Sequence, residues 1–179
     1  MSDSILIVGA GGFGRSVADA IAAGNLFSVA GFIDDRGPEL GKVLGHAVLA
    51  RLPDLEALRR DFPRLVVAIG DNARRREVCE RALAAGFTLA TVIHPRAWVS
   101  PHARIGAGSL VMAGAIVGTE ALLGTGVVVN AAAVVDHHAR VGDYGHLGIG
   151  ALMAGGSVLP PQARLGEGAV LLAGQSQAL

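Results

Sequence analysis

The sequence predicts an α/β mononucleotide-binding unit over residues 1–93, followed by an all-β parallel β-helix over residues 94–179. Three observations carry this. An aliphatic residue or Met recurs every six positions without insertion: Ile93, Val99, Ile105, Val111, Val117, Leu123, Val129, Val135, Val141, Leu147, Met153, Leu159, Leu165 and Leu171. Near the N-terminus, the apolar run Ser4–Val8 leads into Gly9-Ala10-Gly11-Gly12-Phe13-Gly14 and then a helical pattern. A second apolar run, Phe27–Ile33, ends in Asp34-Asp35, about 20 residues past the glycine loop, where nucleotide-binding folds place a carboxylate.

Strand, G-x-G-x-x-G and helix in that order form a phosphate site. The glycines allow a tight turn and close backbone approach, and the helix start presents N–H groups and a positive dipole end. The helix runs from Arg15 to Ala23 and stops at Gly24. Asp34 or Asp35 can then accept a bond from a ribose hydroxyl or a base N–H. Further on, Leu52-Pro53-Asp54 opens a helix to about Asp61, with Pro in its first turn. Leu65–Ile69 reads as a buried strand ending in Gly70-Asp71-Asn72. Asp71 or Asn72 caps a helix through Ala85, and Gly86 ends it. Its Arg74, Arg75, Arg76 and Arg81 read as a solvated face, and Phe87–Ile93 as the last strand. So short an α/β unit has space for one nucleotide, not for a dinucleotide.

No α-helix has a period of six, and a free strand has a period of two. A six-residue unit with one large apolar and one small residue is the hexapeptide solenoid signature. The small residue follows the large one by four, as Ala115, Ala121, Ala133, Ala139, Gly145 and Ala151 do. Val127 and Gln175 depart from the rule. The aliphatic residue fills the core of a triangular coil, and the small one lets the chain turn. Residues 18 apart therefore stack in one column on adjacent coils. After Leu171 the tail is too short for a stable helix. It is expected to fold across the open end, with Leu172 and Leu179 on the core and Gln175 and Gln177 facing water, or else to be disordered.

Composition narrows the function. The 179 residues carry zero net charge, 51% are apolar, and no basic cluster is interleaved with aromatics, which argues against a nucleic-acid partner. No apolar segment is long enough to cross a membrane and no leader pattern opens the chain, so a cytoplasmic location is expected. The single cysteine, Cys79, reads as a packed core thiol.

One polar constellation stands out in the repeat: Asp136-His137-His138, with His146 nine positions later. The column rule places Thr119 and Gly155 on either side of His137, and Glu120 and Gly156 on either side of His138. Nine residues is half a coil, so His137 and His146 point to opposite faces and can meet only across a subunit boundary. A threefold assembly would bring them together. A neutral His can take the proton of an attacking amine or hydroxyl, and Gly155 can offer a backbone N–H to an oxyanion. That pairing suits direct acyl transfer from a thioester. His46 and His102 read as solvated residues.

The motifs IVGAGGFGR, FIDD, VAIGDN, IHPRAWVSP and VVNAAAVVDHHARVGDYGHLGIGALMAGG, spread over residues 5 to about 170, resemble the sugar acetyltransferases of the sialic-acid O-acetyltransferase NeuD and bacillosamine N-acetyltransferase PglD type. The resemblance implies a Rossmann-like nucleotide-sugar domain, a left-handed parallel β-helix, a homotrimer, and acetyl-CoA as co-substrate. The acceptor it implies is a UDP-linked 4-amino sugar. His137 and His138 become the expected catalytic pair, with His137 as general base. His146 and Gly155 become contacts to acetyl-CoA, Gly155 as oxyanion donor. Gly12, Phe13 and Gly14 fall on the loop that holds the nucleotide-sugar, and Asp34, Asp35 and Gly70 at the uridine end. No metal is expected.

Three features depart from the family pattern. His138 stands where an acid usually follows the catalytic His, with Glu120 or Asp136 as possible substitutes. Phe13 replaces a loop His. The chain is also expected to stop about two coils before its relatives, with a shallower groove and weak CoA binding. Two other readings stay open at this point: a nucleotide-sugar-binding paralogue without catalysis, and a metal enzyme of the gamma carbonic anhydrase type built on the His102–His138 column.

Overall fold

The computed structural model describes residues 3–24 and 26–177. The chain divides at Ala90/Thr91 into two compact units.

The first unit is a six-stranded sheet. Its strands are β1 (Asp3–Val8), β2 (Phe27–Ile33), β3 (Lys42–Val43), β4 (His46–Ala50), β5 (Arg64–Val67) and β6 (Thr88–Leu89), in the order β3-β4-β2-β1-β5-β6. Every pairing is parallel except β3 with β4. The central strand β1 buries Ile5, Leu6, Ile7 and Val8 in succession, the continuous apolar run expected of a strand covered on both faces. Helix α1 (Gly12–Gly24) buries Gly14, Val17, Ala18, Ala20 and Ile21, one stripe at helical spacing. Helix α2 (Asn72–Ala84) is capped by Asp71, whose Oδ1 accepts the Arg74 N–H at 2.7 Å.

Several expectations change here. The segment opened by Leu52-Pro53 is a 3₁₀ helix, Leu52–Leu58. The β3–β4 hairpin lies in a stretch for which no element was expected. Its two-residue turn, Leu44-Gly45, has φ of 49° and 82°, the positive-φ pair that matches strand twist. Arg75 is fully buried and so is not part of a solvated face. Its guanidinium donates to the Ile69 and Gly70 carbonyls and to Asn72 Oδ1, which ties down the loop after β5. Cys79 is the core thiol expected, and burial pushes its pKa up to about 12.

The second unit contains fourteen two-residue strands, six positions apart, from Val92–Ile93 to Val170–Leu171. Each hexad residue is the second residue of its strand. The strands stack in parallel into three sheets, always in an 18-residue register such as Val117↔Val135 and Leu123↔Val141. Val111, Val117, Val129, Val135, Leu147, Met153 and Leu159 form the interior with the small residues Ala115, Ala121, Ala133, Ala139 and Ala151. This is a parallel β-helix. The last α/β strand, expected over Phe87–Ile93, ends instead at Leu89, and Val92–Ile93 pairs with Leu110–Val111 in the solenoid. The boundary thus lies three residues before the one expected, because Ile93 belongs to the hexad series rather than to the sheet before it.

From Ile105 onward, each corner turns on the residue three after the hexad aliphatic. It holds positive φ at Gly108, Gly114, Gly126, Gly150, Gly156, Gly168 and Gly174, and also at Glu120, Ala132, His138, Tyr144 and Gln162. The glycines one after the aliphatic have a different cause. A Cβ on Gly118 would lie 2.7 Å from the His137 nitrogen, and one on Gly142 2.4 Å from that of Pro161. Those positions are small because the next coil passes directly over them.

Through Gln177, the described part of the tail continues the solenoid and does not fold across its end. Leu172 is exposed. The Val158 N–H donates to the Gln175 carbonyl, and the Gln177 N–H donates to that of Val158, so Ser176 bridges Val158 in parallel register. The open edge of a strand is a template for one more, and the chain through Gln177 takes it. Leu179 lies outside the described residues.

Candidate active site

In the first unit, β1 and α1 are joined by a turn that only glycine permits at two places. Gly9 has φ of 104°, and a Cβ on Gly14 would lie 1.8 Å from the Gly9 carbonyl oxygen. Gly11 and Gly12 meet no such obstacle, so their smallness leaves the mouth of the loop open. Helix α1 begins at Gly12, with Gly12, Phe13 and Gly14 in its first turn. Asp34 closes the loop from the end of β2. Its Oδ2 accepts the Ala10 N–H at 2.8 Å, and its Oδ1 accepts the Arg36 N–H and Nε.

The Arg36 guanidinium, with the Ala10 and Arg36 N–H groups, holds the Asp34 carboxyl down at about 2 against burial. Asp34 is therefore committed to the loop. Asp35 is exposed and stands 3.7 Å from Arg74 Nη2. Both acids line a cavity of about 240 Å³ with Val8, Gly9, Ile33 and Leu52. Gly70 is exposed in the loop that Arg75 holds.

A depressed carboxyl stabilises the fold above its unfolded value and loses that effect as pH falls through its folded value. For Asp34 the window runs from the ordinary 3.8 down to about 2. Acid titration of the protein, followed by circular dichroism, is expected to lose loop stability across that window. Asp34→Asn should be destabilised at neutral pH and lack that step. An identical acid limb in the variant would remove Asp34 from the clamp.

In the second unit, the corner after strand Val134–Val135 gathers the predicted constellation. Asp136 Oδ1 accepts the His137 N–H at 2.7 Å and fixes the corner. The His137 ring leans over Gly155 on the next coil, where a Cβ would lie 2.4 Å from Cε1 and 2.5 Å from Nε2. The column arithmetic therefore holds, and a side chain there would push the imidazole aside. Among the described residues the Gly155 N–H finds no acceptor, while its carbonyl accepts the Gly174 N–H. His137 Nδ1 is 3.0 Å from His138 Nδ1. His138 Nε2 is 2.7 Å from Glu120 Oε2 on the preceding coil. Asp136 Oδ2 lies 3.8 Å from His137 Nε2, outside hydrogen-bond reach.

A cleft of about 610 Å³ opens beside His138, lined by His102, Arg104, Glu120, Leu122 and Arg140. Arg104 and Arg140 went unremarked in the sequence. Their signal was the column itself, since positions 104, 122 and 140 share one outer face.

His146 stands on another sheet, paired with Val128 and Arg164. It is buried, with Nδ1 3.1 Å from Arg164 Nη1. A guanidinium only donates, so Nδ1 accepts and Nε2 carries the hydrogen of the neutral ring.

The N-terminal domain of the PglD family matches residues 4–82. Among solved structures, a mutant perosamine N-acetyltransferase from Caulobacter crescentus, in complex with CoA and GDP-perosamine, is 31% identical. The match covers 98% of this chain and 91% of that one, with a TM-score of 0.88. The acetyltransferase domain of PglB from Neisseria gonorrhoeae FA1090, in complex with acetyl coenzyme A, is 34% identical over 99% of this chain and 94% of that one, with a TM-score of 0.84. WeeI from Acinetobacter baumannii AYE shares the fold at 18% identity and a TM-score of 0.71, over 98% of this chain and 94% of that one. The unmatched part of each is smaller than two coils. These three proteins therefore do not run two coils past the match, against the expectation above.

Proposed function

This chain belongs to the PglD/NeuD-like family of sugar acetyltransferases, and we propose that it moves the acetyl group of acetyl-CoA to the amino group of a nucleotide-linked amino sugar. The observation that carries the reading is the His137 ring seated against Gly155, beside a backbone N–H with no acceptor among the described residues. The sugar amine attacks the thioester carbonyl, and His137 Nε2 takes its proton. The Gly155 N–H donates to the oxyanion of the tetrahedral intermediate. As that intermediate collapses, the C–S bond breaks and the proton passes to the departing CoA sulfur.

In this reading the first unit is the Rossmann-like carrier of the nucleotide, and the coil of the second is left-handed as in the family. The Gly12–Gly14 turn faces the diphosphate. Asp35 and Gly70 face the base, with Asp34 holding the loop. The assembly is a homotrimer with acetyl-CoA between neighbouring copies, and His146, buried beside Arg164, is left out of that contact. Arg104 and Arg140 add positive charge beside His138, which suits two anionic substrates.

The test is release of CoA thiol on mixing the protein with acetyl-CoA and UDP- or GDP-linked amino sugars. Stoichiometric thiol and N-acetyl sugar support the reading, and no release with any amino-sugar nucleotide overturns it. The resemblance favours uridine, whereas the perosamine enzyme was crystallised with a guanosine carrier. Calorimetry with UDP and GDP separates the two: the uridine reading requires UDP to bind more tightly.

A further inference from the structure

The acid that usually follows the catalytic His is replaced here by His138, yet a carboxylate still ends the chain of contacts. We propose that Glu120 and His138 act in series as positioning residues that set the tautomer and orientation of His137. This rests on the reading of His137 as the general base.

Glu120 and His138 occupy the same corner position on adjacent coils, 18 residues apart. Both hold the left-handed backbone conformation, φ 59° and 58°. The His138 N–H donates to the Thr119 carbonyl at 3.0 Å, which sets the two corners one above the other. Their side chains emerge side by side, and Glu120 Oε2 reaches His138 Nε2 at 2.7 Å. The two imidazoles then meet edge-on, with centroids 5.2 Å apart, planes at 86°, and Nδ1 facing Nδ1 at 3.0 Å.

Hydrogen-bond roles follow from the end of the series. A carboxylate only accepts, so His138 Nε2 carries the hydrogen. In neutral His138 the lone pair is then on Nδ1. The facing Nδ1 of His137 must therefore be the N–H, which leaves the lone pair of His137 on Nε2. That atom lies against Gly155, where the proposed reaction needs a base. When Nε2 gains a proton, the His137 cation keeps its Nδ1–H bond to His138, with the Glu120 charge behind it. The neighbouring Asp136 carboxylate cannot replace this route, because its Oδ1 is used by the His137 N–H and its Oδ2 is 3.8 Å from Nε2.

The Glu120, His137 and His138 side chains are more than half exposed, and exposed ion pairs add little to stability. Variants should therefore fold. Glu120→Gln offers an amide that can donate to His138 Nε2 and reverse both Nδ1 roles. His138→Gly removes the middle ring at a corner where glycine is the commonest residue, so the backbone loses no support.

Both variants are expected to lower kcat on the order of 10–100-fold, part of what a general base contributes, with KM for both substrates unchanged. Added imidazole should restore much of the rate to His138→Gly. In the His138→Gly background, Glu120→Gln should cost nothing further, since residues acting in series are non-additive. Wild-type kcat in either single variant, or full additivity in the pair, overturns the series. If instead His137→Ala itself keeps its rate, the base reading falls, and the two failures are distinguishable.

Discussion

His137→Ala is expected to lower the rate of acetyl transfer by on the order of 10²–10⁴ while leaving nucleotide binding by the first unit unchanged. The size follows from what is lost. A positioned base accounts for about 3–5 kcal/mol of barrier. The backbone N–H of Gly155 and the binding of both substrates remain, so the rate does not fall to that of the uncatalysed reaction. The corner itself survives, because its fixed points are backbone groups: the Asp136 carboxylate on the residue-137 N–H and the Gly156 N–H on the residue-137 carbonyl.

A companion change separates position from chemistry. Gly155→Ala keeps the imidazole but sets a methyl within 2.4–2.5 Å of its Cε1 and Nε2, so the ring must swing away. Its rate should fall nearly as far with the fold intact, because a flexible side chain yields rather than the backbone. Stopped-flow detection of thiol release measures both. An unchanged rate in His137→Ala removes this histidine from the mechanism.

The second unit was legible because its physics is periodic. One apolar position in six can only be a core facing inward once per side, and the count from Ile93 to Leu171 never slips. The same arithmetic put Gly155 beside His137 and Glu120 beside His138 before any coordinates. The corner code was less visible. From Ile105 onward the left-handed residue sits three after the aliphatic, but Glu120, Ala132, His138, Tyr144 and Gln162 dilute the glycine signal there.

In the first unit, the strand–loop–helix and its capping Asp71 were readable from local chemistry. Arg75 was not: it is buried by the tertiary demand of two loop carbonyls, and nothing in Arg-Arg-Arg distinguishes the middle residue. The β3–β4 hairpin hid behind Leu44, a residue that rarely takes positive φ. The part of Asp34 as a clamp on the glycine loop likewise depends on where Ala10 and Arg36 come to rest.

If the proposed homotrimer packs through the Val134–Val135 sheet, Ile116→Glu or Leu152→Glu is expected to dissociate it to monomers and abolish transfer. On the sheet that includes Val134–Val135, the outward residues 98, 116, 134, 152 and 170 are Trp, Ile, Val, Leu and Val, one above another. Trp98, Ile116, Leu152 and Val170 are 55%, 41%, 41% and 54% exposed. Single exposed apolar residues are ordinary, but a stripe in register over successive coils is the mark of a contact surface.

The stripe also borders the chemistry. Strand Val134–Val135 runs into the His137 corner, and Leu152–Met153 into Gly155. In the proposed homotrimer, a copy packed on this face would border the groove beside His137. Burying a large aliphatic side chain there contributes about 1.5–3 kcal/mol. A buried carboxylate without a partner costs several kcal/mol instead, and a threefold ring repeats that cost at every interface. Per interface the change is a large part of the about 8 kcal/mol that a contact of micromolar affinity is worth. The interior stays intact, since Val117 and Met153 remain the core residues of those strands.

Light scattering should therefore give monomer mass, circular dichroism an unchanged fold, and the thiol assay no turnover, with nucleotide still bound by the first unit. A trimer that persists with the glutamate in place would show that the apolar stripe is not the subunit contact. A monomer that remains fully active would show that the site is complete within one chain.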